Sequence, residues 1–187
     1  MSPTNPFAAL DFPASLHIDS KQLDAQFKSL SAAYHPDAQE SETTSPDEQR
    51  FKEINKAYNT LKHPHTRALA LLELEDITYN SRGSVSDSIM SHFMPIGELL
   101  QSIDEHLKKL ENASSQLQKA LLSPKSLDLQ SELETWIQTL DNDLDQTEST
   151  LLSSDLHSEA IQIAIRDTAF LQKWKAQLRE RFAQLFI

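Results

Sequence analysis

The residues best suited to contact chemistry are Tyr34-His35-Pro36-Asp37. Pro36 fixes its own backbone angle and carries no N–H, so a turn built on it is pre-organised and loses less entropy when it docks. Asp37 offers a carboxylate able to accept two parallel bonds from a partner arginine. His35 both donates and accepts hydrogen bonds and can brace the loop. This is equipment for recognition rather than for bond breaking. The same three letters also arise where a helix simply stops ahead of a solvated aspartate, so their meaning depends on the elements around them.

Other chemistries find little support. There is no cysteine, which removes disulfides, thiol catalysis and Cys-ligated zinc or iron–sulfur clusters. His63, His65, His92, His106 and His157 show no metal-ligand spacing with one another or with nearby acids. Asp141, Asp143 and Asp145 alternate as in a calcium loop, but no glycine follows and the stretch reads as a helix face. No serine lies in a Gly-x-Ser-x-Gly context and there is no glycine-rich phosphate loop. A non-enzyme without cofactor or metal is expected. The net charge of −11 repels phosphate backbones, so nucleic acid is not an expected partner. The start of the chain lacks a basic segment followed by an apolar run. No apolar stretch approaches the ~20 residues that span a bilayer. A cytoplasmic protein with no membrane partner is the expectation.

Only two of the 187 residues are glycine, too few for the tight turns of a sheet protein, and an all-α fold follows. Asp19, with Gln22 three residues on, reads as a helix start. Leu23, Phe27, Leu30 and Tyr34 then share one helical face, and Pro36 closes the helix. A polar loop over 38–44 leads to Ser45-Pro46-Asp47-Glu48, a second helix start. Phe51, Ile54, Tyr58 and Leu61 give its buried face, and a short amphipathic helix follows over 67–74. Asn80-Ser81-Arg82-Gly83-Ser84 reads as a linker.

Beyond it leucine dominates. One stripe runs from Leu99 through Leu107 and Leu110 to Leu117 and Leu121, with a break expected at Ser123-Pro124. A second runs from Leu129 to Leu151 and a third from Ile161 to Leu185. Three such helices should pack as an antiparallel three-helix bundle. The division expected is 1–79 for the N-terminal domain, 80–84 for the linker and 85–187 for the bundle.

The helix, His-Pro-Asp loop and following helix with Phe51, Ile54, Asn55, Ala57, Tyr58 and Leu61 resemble the J-domain of DnaJ-type co-chaperones. In that family the tripeptide is required to stimulate the ATPase of a DnaK-type chaperone. The resemblance therefore implies chaperone binding through His35, Pro36 and Asp37, with Lys28 on the preceding helix. That helix carries only Lys21 and Lys28, fewer basic residues than J-domains usually present. Phe7 to Pro13, Leu16 to Asp19, Ile54 to Pro64, Arg67-Ala68 and Leu71-Leu72 are further similar to the HscB family of iron–sulfur co-chaperones. That family joins a J-domain to a three-helix bundle that binds an IscU-type scaffold.

The resemblance implies an HscA-like chaperone and an IscU-type scaffold as partners. It implies Phe93, Met94, Glu98, Glu105 and Phe170 as the client surface. Gly97 stands where that surface has an apolar residue, Gln101 where it has an acid, and Pro95 interrupts it. Pro95 and Gly97 together are expected to kink or delay their helix. Packing of Phe93, Met94 and Phe170 into the bundle core remains open, as do two other functions: a J-domain co-chaperone for another client, or a helical adaptor that stimulates nothing.

Overall fold

A computed structural model describes residues 5–34 and 46–185. Among them are seven α-helices and no strand: α1 Pro6–Ala9, α2 Ser20–Ala33, α3 Pro46–Leu61, α4 Pro64–Leu74, α5 Asp87–Asn112, α6 Gln116–Ser153 and α7 Glu159–Gln184. The chain divides into two compact units. One holds the residues up to Arg82 together with Thr150–Ile165, and the other holds Gly83–Ser149 with Arg166–Ile187. Residues 150–165, expected within the bundle, thus group with the N-terminal unit. Helical periodicity shows which face is apolar but not what covers it.

In the first unit α3 is the central helix, packed by α1, α2 and α4. Asn5 caps α1 by accepting from the N–H groups of Phe7 and Ala8, and Asp19 caps α2 by accepting from that of Gln22. Phe7, Leu10, Leu23, Ile54 and Leu61 are fully buried together. Phe27 stacks on Tyr58 with ring centroids 4.0 Å apart. Tyr58 Oη donates to Asp24 at 2.8 Å, and this bond, ahead of burial, holds the phenol's pKa above its usual value. The start of α2 therefore lies beside the end of α3, as a hairpin requires.

Pro64 begins α4 rather than merely ending α3, because proline at the first helical position gives up an N–H that has no partner there anyway. Arg67 is buried, and its guanidinium donates to the carbonyls of Leu61 and Leu16. It satisfies backbone acceptors where α3 ends. Leu151, Ile161, Ala164 and Ile165 complete this unit by packing with Ala68 and Leu72. The start of the expected linker is held down within it, since the Asn80 N–H donates to Gln162 Oε1 at 3.2 Å.

The second unit buries Ile89, Ile96, Leu99 and Ile103 of α5 against Leu129, Leu133 and Leu140 of α6 and Leu171, Trp174 and Leu178 of α7. Its chain entry is held by two buried polar side chains. Arg166 Nε donates to the Ser84 carbonyl at 2.6 Å, and the Ser86 N–H donates to Asp167 at 3.1 Å. Gly83 lies against this guanidinium: a Cβ there would meet Arg166 Nη1 at 2.4 Å, so the arginine would have to shift.

Two sequence expectations need correction. No break occurs at Ser123-Pro124: Pro124 lies inside α6, and the turn falls earlier, at Ala113–Ser115. Ser115 Oγ accepts from the Gln118 N–H while Gln118 Oε1 accepts from the Ser115 N–H, both at 3.2 Å, a reciprocal capping box. Leu117 and Leu121 are consequently 72% and 74% exposed rather than part of the core stripe. Likewise α5 begins at Asp87, capped by Ser86, and runs through Pro95 and Gly97 without interruption. Both prolines are exposed, so water can serve the carbonyls of Ser91 and Ala120 that lose their helical donor.

Candidate functional site

His35, Pro36 and Asp37 lie outside the described residues. The structure gives what leads to them. Helix α2 ends at Ala33 with Tyr34 as its C-cap, the Tyr34 N–H donating to the Leu30 carbonyl at 3.1 Å. His35 is thus the first residue past the cap. The Phe27–Tyr58 stack and the Tyr58–Asp24 bond fix α2 against α3, and Lys28 is exposed on α2. On α3, Lys52 pairs with Glu48 and Arg50 donates to the Ala9 carbonyl, so these two cations serve the helix and its packing.

The outer face of α5 carries the second set. Phe93 is 41% exposed and Met94 is 70% exposed, while Phe170 of α7 is half-buried beside them. Met94 is therefore no core residue. The Phe93 ring meets Phe170 edge-on, centroids 5.3 Å apart, and Trp174 edge-on at 4.9 Å. These edge-to-face contacts hold an aromatic side chain at the surface in one orientation. Glu98 and Glu105 are exposed on the same helix, and Gln101 Nε2 donates to Glu105 Oε1 at 3.1 Å.

Sequence reasoning missed Met90, which is 59% exposed. It precedes Met94 by four residues, hence one turn, and that spacing was its available signal. Reasoning from sequence also missed the support beneath. His92 Nε2 lies 2.6 Å from Asp143 Oδ2 of α6, and the imidazole meets the Trp136 ring edge-on at 5.3 Å. A lysine and an aspartate, Lys175 and Asp141, pair between α7 and α6. Two members of the alternating Asp141–Asp145 run are thereby engaged within the bundle. Among the described residues no group of three or more His, Asp or Glu side chains could hold a metal ion. No helix among them is long and apolar enough to cross a membrane.

Aromatic residues and Met, which this exposed face carries, are the types enriched at protein interfaces. The N-terminal helices define the class. Residues 6–69 match the DnaJ domain family, and the chain carries a J-domain.

Beyond that domain the chain is similar to HscB co-chaperones over most of its length. It is 28% identical over 160 residues to the co-chaperone protein HscB homolog of Haemophilus ducreyi, covering 81% of this chain and 87% of that one. With the homolog of Acinetobacter baumannii it shares 29% over 170 residues, covering 81% and 94%. The solved structure of chaperone HscB from Vibrio cholerae superposes with a TM-score of 0.62 at 24% identity, over 97% of this chain and 99% of that one. Human co-chaperone protein HscB gives 0.63 at 20% identity, over 96% and 83%. These two likenesses show the shared fold. Fold and sequence together resemble those of the HscB co-chaperones.

Proposed function

We propose that this protein works in the cytoplasm and stimulates ATP hydrolysis by a DnaK-type, HscA-like chaperone through His35, Pro36 and Asp37. In the same reading the outer face of α5 presents an IscU-type iron–sulfur scaffold to that chaperone. The protein contributes no catalytic group, and the reacting atoms belong to the chaperone. The observation that carries the reading is the exposed Met90, Phe93 and Met94 face in a chain whose N-terminal helices are a J-domain. Phe93, held edge-on by Phe170 and Trp174, is the anchor, and Glu98 and Glu105 form an acidic rim.

A second reading keeps the J-domain and changes the client. Gln101 and Gly97 favour it, since they replace an acid and an apolar residue of the resembling surface.

Two measurements separate the readings. Single-turnover ATPase assays with the chaperone should lose at least about tenfold of their stimulation in Asp37→Asn, because a charge-assisted contact contributes about 1.5–3 kcal/mol. Unchanged stimulation would remove the loop as the trigger. Titration with a purified IscU-type scaffold should show binding that Phe93→Ala weakens and Asp37→Asn leaves intact. Retained chaperone stimulation with no scaffold binding would select the other client.

A further inference from the structure

Helix α5 stays unbroken through Pro95 and Gly97, the two residue types least suited to a helix interior. Pro95 has no N–H to offer the Ser91 carbonyl, and Gly97 adds backbone freedom two residues on. The turn they weaken, residues 91–95, is the one from which Phe93 and Met94 project. Water can satisfy the carbonyl that loses its donor, but water does not hold the turn in one direction. Something else must fix the backbone that carries the anchor.

His92 lies within that turn and reaches across to α6. Its Nε2 is 2.6 Å from Asp143 Oδ2, and the two side chains are only 13% and 22% exposed. A hydrogen bond to a carboxylate is short, strong and directional, and shielding from water strengthens it. The imidazole also packs edge-on against Trp136 of α6 and Trp174 of α7, with centroids 5.3 and 6.4 Å away. Trp174 is in turn the ring that Phe93 meets at 4.9 Å. His92 is thus tied to both neighbouring helices, and Phe93 is the next residue along the chain.

We propose that His92 and Asp143 are positioning residues for the client surface: their bond replaces the restraint that Pro95 removes from α5 and holds Phe93 at the angle the scaffold meets. Asp143, on another helix, acts through His92 and not by touching the client. The inference rests on the scaffold-binding reading given above and adds what sets the orientation of its anchor.

The test is a calorimetric titration of an IscU-type scaffold into full-length wild type, Phe93→Ala, Asp143→Ala, Asp143→Asn, His92→Phe, Pro95→Ala and the double variant Pro95→Ala with Asp143→Ala. Thermal melts set a temperature at which every variant titrated is folded. Asp143→Ala should weaken binding about tenfold, the size of one lost charge-assisted bond. His92→Phe, which keeps a ring against the tryptophans and loses the bond, should do the same. Asp143→Asn still accepts from Nε2–H and should stay within about threefold of wild type. In the Pro95→Ala background, where α5 regains its own hydrogen bond, Asp143→Ala should cost less than about threefold. Such non-additivity is the readout that a merely structural role does not move: in folded protein, a general loss of bundle stability would leave the effect of Asp143→Ala equal in both backgrounds. If Phe93→Ala weakens binding while Asp143→Ala and His92→Phe do not, or if Asp143→Ala weakens it equally with and without Pro95, the surface stands and the positioning role is refuted. If wild type does not bind the scaffold, both fall.

Discussion

His106 of α5 is buried, and its Nε2 lies 2.8 Å from Ser126 Oγ of α6. Burial, followed by the positive charges of Lys109 and Lys125, holds its pKa below the usual 6.5. His65 is shifted in the same direction by burial and by His63. A histidine kept neutral in the fold stabilises it fully above the unfolded pKa. As pH falls below about 6.5 the unfolded chain takes up protons that the folded one does not, and stability declines until the lowered folded pKa is reached. Each such histidine adds a slope of up to about 1.4 kcal/mol per pH unit in that window. His106→Gln keeps a hydrogen-bonding side chain and removes the titration, so urea melts at several pH values should show a shallower decline than wild type. An equally steep decline would place the titration elsewhere. None of this was legible in the sequence. Hydrophobic periodicity marks apolar faces, whereas His106, Arg67, Arg166 and Asp167 are polar groups that burial accepts only because a partner stands opposite each. His35, Pro36 and Asp37 were singled out by their side-chain types and their place after a helix, and they lie outside the described residues.

The element that misleads is the junction of α5 and α6. Leu110 and Leu117 are seven residues apart, two helical turns, so the stripe continues in phase across a turn that periodicity cannot detect. Pro124 then looks like the break, although an exposed proline deprives a helix of one bond that water can replace. The signal that was available is Ser115 with Gln118, a capping box. Two substitutions test this boundary. Ser115→Ala removes the cap and should cost about 1 kcal/mol. Pro124→Ala restores a helical N–H inside α6 and should stabilise the protein by about 1–3 kcal/mol. Urea unfolding measures both. Were the helix boundary at Pro124 instead, Ser115→Ala would be neutral and Pro124→Ala would gain nothing.

At the scale of the whole molecule, charge decides how partners meet. A net charge of −11 gives long-range repulsion toward other acidic proteins, and α2 sets only Lys21 and Lys28 against it. Electrostatic steering raises association rates steeply at low salt and is screened beyond about 10 Å at 0.1 M ionic strength. With so few cations on α2, the proposed docking of the chaperone depends on short-range contacts of the residues after Tyr34. Stopped-flow association with a DnaK-type chaperone should therefore change by less than about threefold between roughly 50 and 200 mM salt. Adding cations on the exposed side of α2, with Ala25→Arg and Ser29→Lys, should accelerate association severalfold at low salt and little at high salt. The off-rate should stay nearly constant, because the contacts that hold the complex are unchanged. A steep fall in the wild-type rate with salt would instead assign steering to Lys56 on α3 and Lys62 just past its end, and charge reversal at those two residues would then abolish it.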